Sequence, residues 1–133
     1  MDAFSAECKA RADELSRRII GAAIEVHRTL GPGLLEGAYE VCLCRELELQ
    51  GIPFRSQTLV NIDYKGKLVP DAFRIDLVID DLVVVELKSI DRFHPIHEAQ
   101  LLTYLRLSNL WLGLLINFNV PILKDGLMRR VLG

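Results

Sequence analysis

The chain has 133 residues, the length of one domain, with 50% hydrophobic content and three cysteines; a chain of this size buries about two-thirds of its unfolded surface and needs no staples. Disorder is excluded by that hydrophobic content, a membrane helix by the lack of any apolar run near ~20 residues, and a secretory signal by the charged start MDAFSAECKARADELSRR. The formal net charge of −2 excludes a generally basic, phosphate-covering surface. Basic candidates are therefore local: Lys9, Arg11, Arg17 and Arg18, then Lys65 and Lys67, then Arg129 and Arg130, each read first as a solvated charge. Cys8, Cys42 and Cys44 suit neither a disulfide framework nor a zinc site and read as reduced thiols of a cytoplasmic protein.

Residues 5–30 read as a helix with Ile19, Ile20, Ala23, Ile24 and Leu30 forming a stripe at roughly helical spacing. The GPG at 31–33 breaks it. A second helix runs from Leu34 to about Gln50 and stops at Gly51, where a left-handed residue suits a helix end. Residues 52–64, IPFRSQTLVNIDY, read as a strand, Lys65-Gly66 as a turn, and 68–79 as the next strand, with Pro70 near its start. Asp80 and Asp81 turn the chain into LVVVELKSI at 82–90. Residues 95–108 return to helical spacing behind Pro95. LWLGLLINF at 110–118 reads as a fully apolar strand, and 127–132 as a short last one. The order α-α-β-β-β-α-β plus a tail predicts an α/β fold of one domain over 1–133. Three strands form an antiparallel meander, and the helix after them returns the chain parallel to strand 82–90. The two apolar strands should be the sheet centre, because strands buried on both faces read as continuous hydrophobic runs.

Glu86 and Lys88 interrupt that run and share one face, since strand side chains alternate. An isolated interior charge costs several kcal/mol unless paired or liganded. The plain reading is a solvated pair on an edge strand, in a purely structural domain. Asp76 opens another. If the turn pairs residue 79 with 83, Asp76 falls opposite Glu86, and two facing carboxylates repel unless a divalent cation lies between them. A two-residue turn would instead pair 76 with 85 and send Asp76 to the far face. On the following helix, His97, Gln100 and Tyr104 share a side at i, i+3 and i+7. They read either as an ordinary polar stripe or as the lining of a cleft over the sheet. Glu36 and Glu40 lie one helical turn apart with Tyr39 beside them, and Glu36 also complements a helix start. Gly33 and Gly37 permit a bend and close helix packing. His27 and His94 read as surface or capping residues.

Asp76, then Glu86-Leu87-Lys88, then Gln100-x-x-x-Tyr104 together resemble the PD-(D/E)XK nuclease superfamily. Gly33-x-x-Glu36-x-x-Tyr39 is similar to the signature of its small bacterial GxxExxY family. The resemblance spans about residues 15–132, although Ile75 stands where the superfamily's motif has Pro. It implies a restriction-endonuclease-like αβββαβ core and a Mg²⁺-dependent nuclease, with Mn²⁺ as a substitute. The partner it implies is nucleic acid, DNA before RNA; nothing implies a membrane, and self-association is not specified. Under this resemblance Asp76, Glu86 and the Leu87 carbonyl ligate the metal, and Lys88 holds the attacking water. Glu36 reaches the metal or its water, Gln100 orients water or phosphate, and Tyr104, His97 and Tyr39 support them. The alternative is a catalytically silent module of the same fold that binds nucleic acid or a protein.

Overall fold

The computed structural model describes residues 3–133; the first two positions of the domain span expected from sequence lie outside it. Helix α1 spans Ala6–Leu30 and α2 spans Glu36–Leu49. The strands are β1, Phe54–Tyr64, β2, Lys67–Ile79, and β3, Val83–Lys88. Helix α3, Pro95–Ser108, leads to β4, Leu112–Asn117, and a 3₁₀ turn at Leu123–Gly126 leads to β5, Leu127–Val131. The sheet order is β1-β2-β3-β4-β5. All neighbours are antiparallel except β3 and β4, which run parallel across α3. This is an α/β fold with a mixed five-stranded sheet flanked by helices, consistent with a restriction-endonuclease-like core.

Local chemistry accounts for the boundaries. The Ser5 side chain accepts from the Cys8 N–H at 3.0 Å and starts α1, and Gly31, at φ 73°, ends it. At the end of α2 the Gly51 N–H reaches the Glu48 carbonyl and the Ile52 N–H the Leu47 carbonyl. With Gly51 at φ 69°, that double closure is the Schellman arrangement. Two sequence expectations need correction here. The buried stripe of α1 is Ala12, Leu15, Ile19, Ala22, Ala23 and Val26, whereas Ile24 is exposed off that stripe and Leu30 is exposed at the helix end. Gly37 meets nothing that a Cβ would strike, so close packing is not its reason.

The sheet has a core on each face. Leu77, Ile79, Val83, Val85, Leu87 and, from β4, Leu112, Leu114 and Ile116 pack against α1 and α2. Val78, Val84, Leu115 and Ile75 pack against Leu101 and Leu105 of α3. Gly113 lets α3 come this close, since a Cβ there would stand 2.8 Å from Leu101 Cδ1. His27 is not a surface residue: it is buried on α1, and its Nε2 lies 2.7 Å from the Val120 carbonyl. Nor is β4 wholly apolar. Asn117 is buried, and its side chain bonds the Ile90 N–H at 3.1 Å and the Ile90 carbonyl at 3.0 Å. It clamps the chain leaving β3 to the end of β4. Among the described residues no helix is long and apolar enough to cross a membrane.

Candidate active site

The register between β2 and β3 decides what faces what. Ile79 pairs with Val83, Val78 with Val84 and Leu77 with Val85. The loop between them is therefore three residues, 80–82, with Asp80 and Asp81 both left-handed at φ 51° and 52°. An odd loop brings Asp76 opposite Glu86. There the regular ladder stops, and side chains take over its hydrogen bonds. The Asp76 N–H donates to Glu86 Oε2 at 2.8 Å, and the Leu87 N–H donates to Asp76 Oδ2 at 2.9 Å. On the other flank the pairing with β1 skips Gln57 and Asp76, and Gln57 sits at φ 52°. That irregularity explains why Ile75 lies on the α3 face although Leu77 lies on the opposite one. Strict alternation would have put both together.

Glu86 is only 5% exposed on a strand with neighbours on both sides, so the solvated edge-strand reading fails. Burial first, and then the adjacent Asp76 carboxylate, push its pKa up to about 8. Lys88 pulls the other way and is the weakest of these influences. A cleft of about 450 Å³ opens over the pair and gathers Glu36, Asp76, Glu86, Lys88, Gln100 and Tyr104. Burial raises the Tyr104 phenol, as do Glu86 and Asp76, while a hydrogen bond with Gln100 opposes them. Glu40 borders the same charge. Burial and Asp76 raise its pKa, and its carboxylate accepts from Gln57 Nε2 at 2.6 Å. Glu40 thus props the irregular stretch of β1 beside Asp76.

Two residues expected in the site stand elsewhere. The Tyr39 ring is fully buried, stacked on Phe118 at 4.4 Å. Its hydroxyl donates to the Gly31 carbonyl at 2.7 Å and accepts from the Leu34 N–H at 3.1 Å. It therefore braces the loop that delivers Glu36 rather than touching the cleft. His97 lies in the first turn of α3, where side chains lean back toward the helix start. Its Nδ1 accepts from the His94 N–H at 2.9 Å, and it does not line the cleft. Burial lowers its pKa, as does nearby Lys88.

Other contributors were not singled out in the sequence. Arg74 and Asp71 line the cleft, with Phe73 and Leu59 as its apolar wall. Arg74 had a signal, since it stands two residues before Asp76. Asp71 had none. It is turned onto the rim by a register shift between Val60 and Ile62 and by its own φ of 49°. Ser89 ties the two halves of the site, its Oγ donating to the Leu34 carbonyl at 2.5 Å. The expected local cations are mostly occupied elsewhere. Arg129 pairs with Asp13, Arg130 with Glu98 and Arg11 with Asp80.

Among the described residues no group of three or more His, Cys, Asp and Glu side chains is disposed to hold a metal ion. The facing pair Asp76 and Glu86 offers two carboxylates instead. The Lys88 carbonyl accepts from the N–H of Phe118, the residue after β4, so alternation turns the Leu87 carbonyl toward β2 and Asp76. Two carboxylates, one carbonyl and room for water suit Mg²⁺, which keeps most of its waters and takes few protein ligands.

A family model described as the PD-(D/E)XK nuclease superfamily matches residues 13–131. Nothing matches the chain among curated proteins or among solved structures.

Proposed function

Since the chain belongs to the PD-(D/E)XK nuclease superfamily, we propose that it is a divalent-metal-dependent nuclease acting on DNA, or on RNA, as a single domain. The observation that carries this reading is the facing pair Asp76 and Glu86 in one cleft with Lys88 and Gln100. Asp76, Glu86 and the Leu87 carbonyl would hold Mg²⁺, with Mn²⁺ able to replace it. When bound, the cation supplies charge neutralisation at the phosphate and an acidified water. Each carboxylate already commits one oxygen to a backbone N–H, Asp76 through Oδ2 and Glu86 through Oε2, which fixes the direction of the other. Lys88, one strand step beyond Glu86, holds the attacking water and meets the charge that develops on the phosphate. Glu36 approaches from the start of α2 and would bind the metal or its water. Gln100 orients the phosphate, and Tyr104 steadies Gln100 through their hydrogen bond. The spacing of Gly33, Glu36 and Tyr39 supports the finer placement in the GxxExxY family. Three free thiols suit a cytoplasmic setting.

The test is direct. Purified protein with Mg²⁺ or Mn²⁺ should cut end-labelled single- or double-stranded oligonucleotides, and EDTA or Asp76→Asn should stop it. If the wild type cuts none of them with either metal, the chain is a nuclease-fold binding module instead, a reading its net charge of −2 already favours.

A further inference from the structure

Around the cleft the charges are unbalanced. Two cations, Arg74 and Lys88, stand against four carboxylates. A duplex is held through many phosphate contacts, each needing a lysine or arginine, and this rim does not supply them. What it supplies is an aromatic wall. Phe73 and Tyr104 stack at 4.4 Å with their planes 14° apart, and Leu59, 57% exposed, continues the wall on β1. Arg74 follows Phe73 in β2 and pairs with Leu59 of β1, and all three reach the cleft, so a phosphate-binding group borders a base-binding wall. Asp71 on the rim repels phosphate and leaves the Arg74–Lys88 side for the backbone.

The wall does not end at the cleft. Leu59 also lines a second groove, of about 430 Å³, between the β1–β2 hairpin and the C-terminal end of α3. Leu107 and Leu110 are on its lining, and so are Thr58 and Ser108, whose buried hydroxyls have no hydrogen-bond partner. Unsatisfied buried hydroxyls are rare and call for a partner. The two grooves have similar volumes, both in the range that accepts small ligands, and they meet at one exposed leucine.

From this we infer that the substrate is single-stranded nucleic acid, one unpaired base lying against Phe73, Tyr104 and Leu59 and the next running over Leu59 into the second groove. Stacking on an aromatic face serves any base, so the wall selects strandedness rather than sequence. This deepens the nuclease reading, from which the position of the scissile phosphate is taken, but it does not depend on turnover. The experiment is fluorescence anisotropy with a labelled short oligo(dT) and with a duplex of equal length, in EDTA so that no cutting intervenes. Wild-type protein should bind the single strand more tightly than the duplex. Phe73→Leu, which keeps apolar volume but removes the ring, should weaken single-strand binding about 5- to 150-fold, the range for loss of one base stack. Leu59→Ser, at an exposed position, should weaken it as well. Duplex binding should change in neither. Equal affinity for single strand and duplex, or unchanged single-strand binding in both variants, would overturn the inference. Wild-type hydrolysis of bis(p-nitrophenyl) phosphate with Mn²⁺ is read separately. If that ester is untouched while the Phe73-dependent single-strand preference holds, the nuclease reading falls and this one stands.

Discussion

Replacing Glu86 by Gln should stabilise the metal-free protein at alkaline pH and remove most of its pH dependence there. Glu86 is raised from 4.5 to about 8 by burial and by Asp76. A group whose folded pKa lies above its unfolded value binds its proton more tightly when folded. Its contribution is complete below the unfolded value and is lost as pH rises through the folded one. Between about pH 6 and pH 9 roughly two units of that advantage disappear, worth about 3 kcal/mol. In a chain of this size that corresponds to a fall in Tm of roughly 10 °C. Gln can still accept from the Asp76 N–H, now 2.8 Å from Glu86 Oε2, and its amide can donate to the Asp76 carboxylate. It imitates the protonated acid at every pH. Thermal melts followed by circular dichroism in EDTA check this. The wild-type Tm should fall through pH 8, and the Glu86→Gln curve should stay level. Saturating Mg²⁺ should restore the wild type more at pH 9 than at pH 6. Parallel curves for the two proteins would refute the claim that Asp76 and its buried neighbour strain one another.

Lys88→Ala should lower cleavage about 10²- to 10³-fold, the loss typical of one transition-state contact. Its Tm should barely move, since Lys88 is half-exposed and is the weakest of the influences on Glu86, an attraction worth about 1 kcal/mol or less; oligonucleotide cleavage and melts on the same sample decide. Asn117→Ala should cost about 1–3 kcal/mol in urea unfolding by leaving the Ile90 N–H without its acceptor, and should depress cleavage by loosening the segment after Lys88. Gly113→Ala should cost a similar 1–3 kcal/mol through overpacking against Leu101, and Leu101→Ala in the same chain should recover part of it.

The elements were legible because their signals are local. Hydrophobic period, Gly31, Gly51 and Pro95 mark helix ends within a residue or two of where they fall. The central position of β3 and β4 followed from their continuous apolar runs. Asp76, Glu86, Lys88, Gln100 and Tyr104 could be grouped because alternation and helical spacing each predict a shared face. What sequence could not carry was anything set by irregular backbone or by long-range hydrogen bonds. Asp71 reaches the cleft through a register shift, and Ile75 changes face where the ladder skips Asp76. Tyr39 and His97 have the side-chain chemistry of a site, but each is consumed by backbone groups, in the loop before α2 and at the start of α3. Asn117 did offer a signal, a lone amide in an apolar run, and buried amides are retained where they have backbone to hold.

The three-residue loop at 80–82 also sets how this molecule tolerates change. Surface loops generally accept insertions and deletions, and Asp81 is fully open to solvent on its outer side. Here length acts like an arithmetic parity. Slipping the pairing by one residue, so that Ile79 met Leu82 instead of Val83, would carry Asp76 to the opposite face of the sheet, because strand side chains alternate and have no intermediate setting. The site would be erased without touching any residue in it, and the helical layers would still have apolar strands to cover. Chemistry in this fold is thus addressed by counting, and its address is written at the far end of the hairpin from the place where it is read.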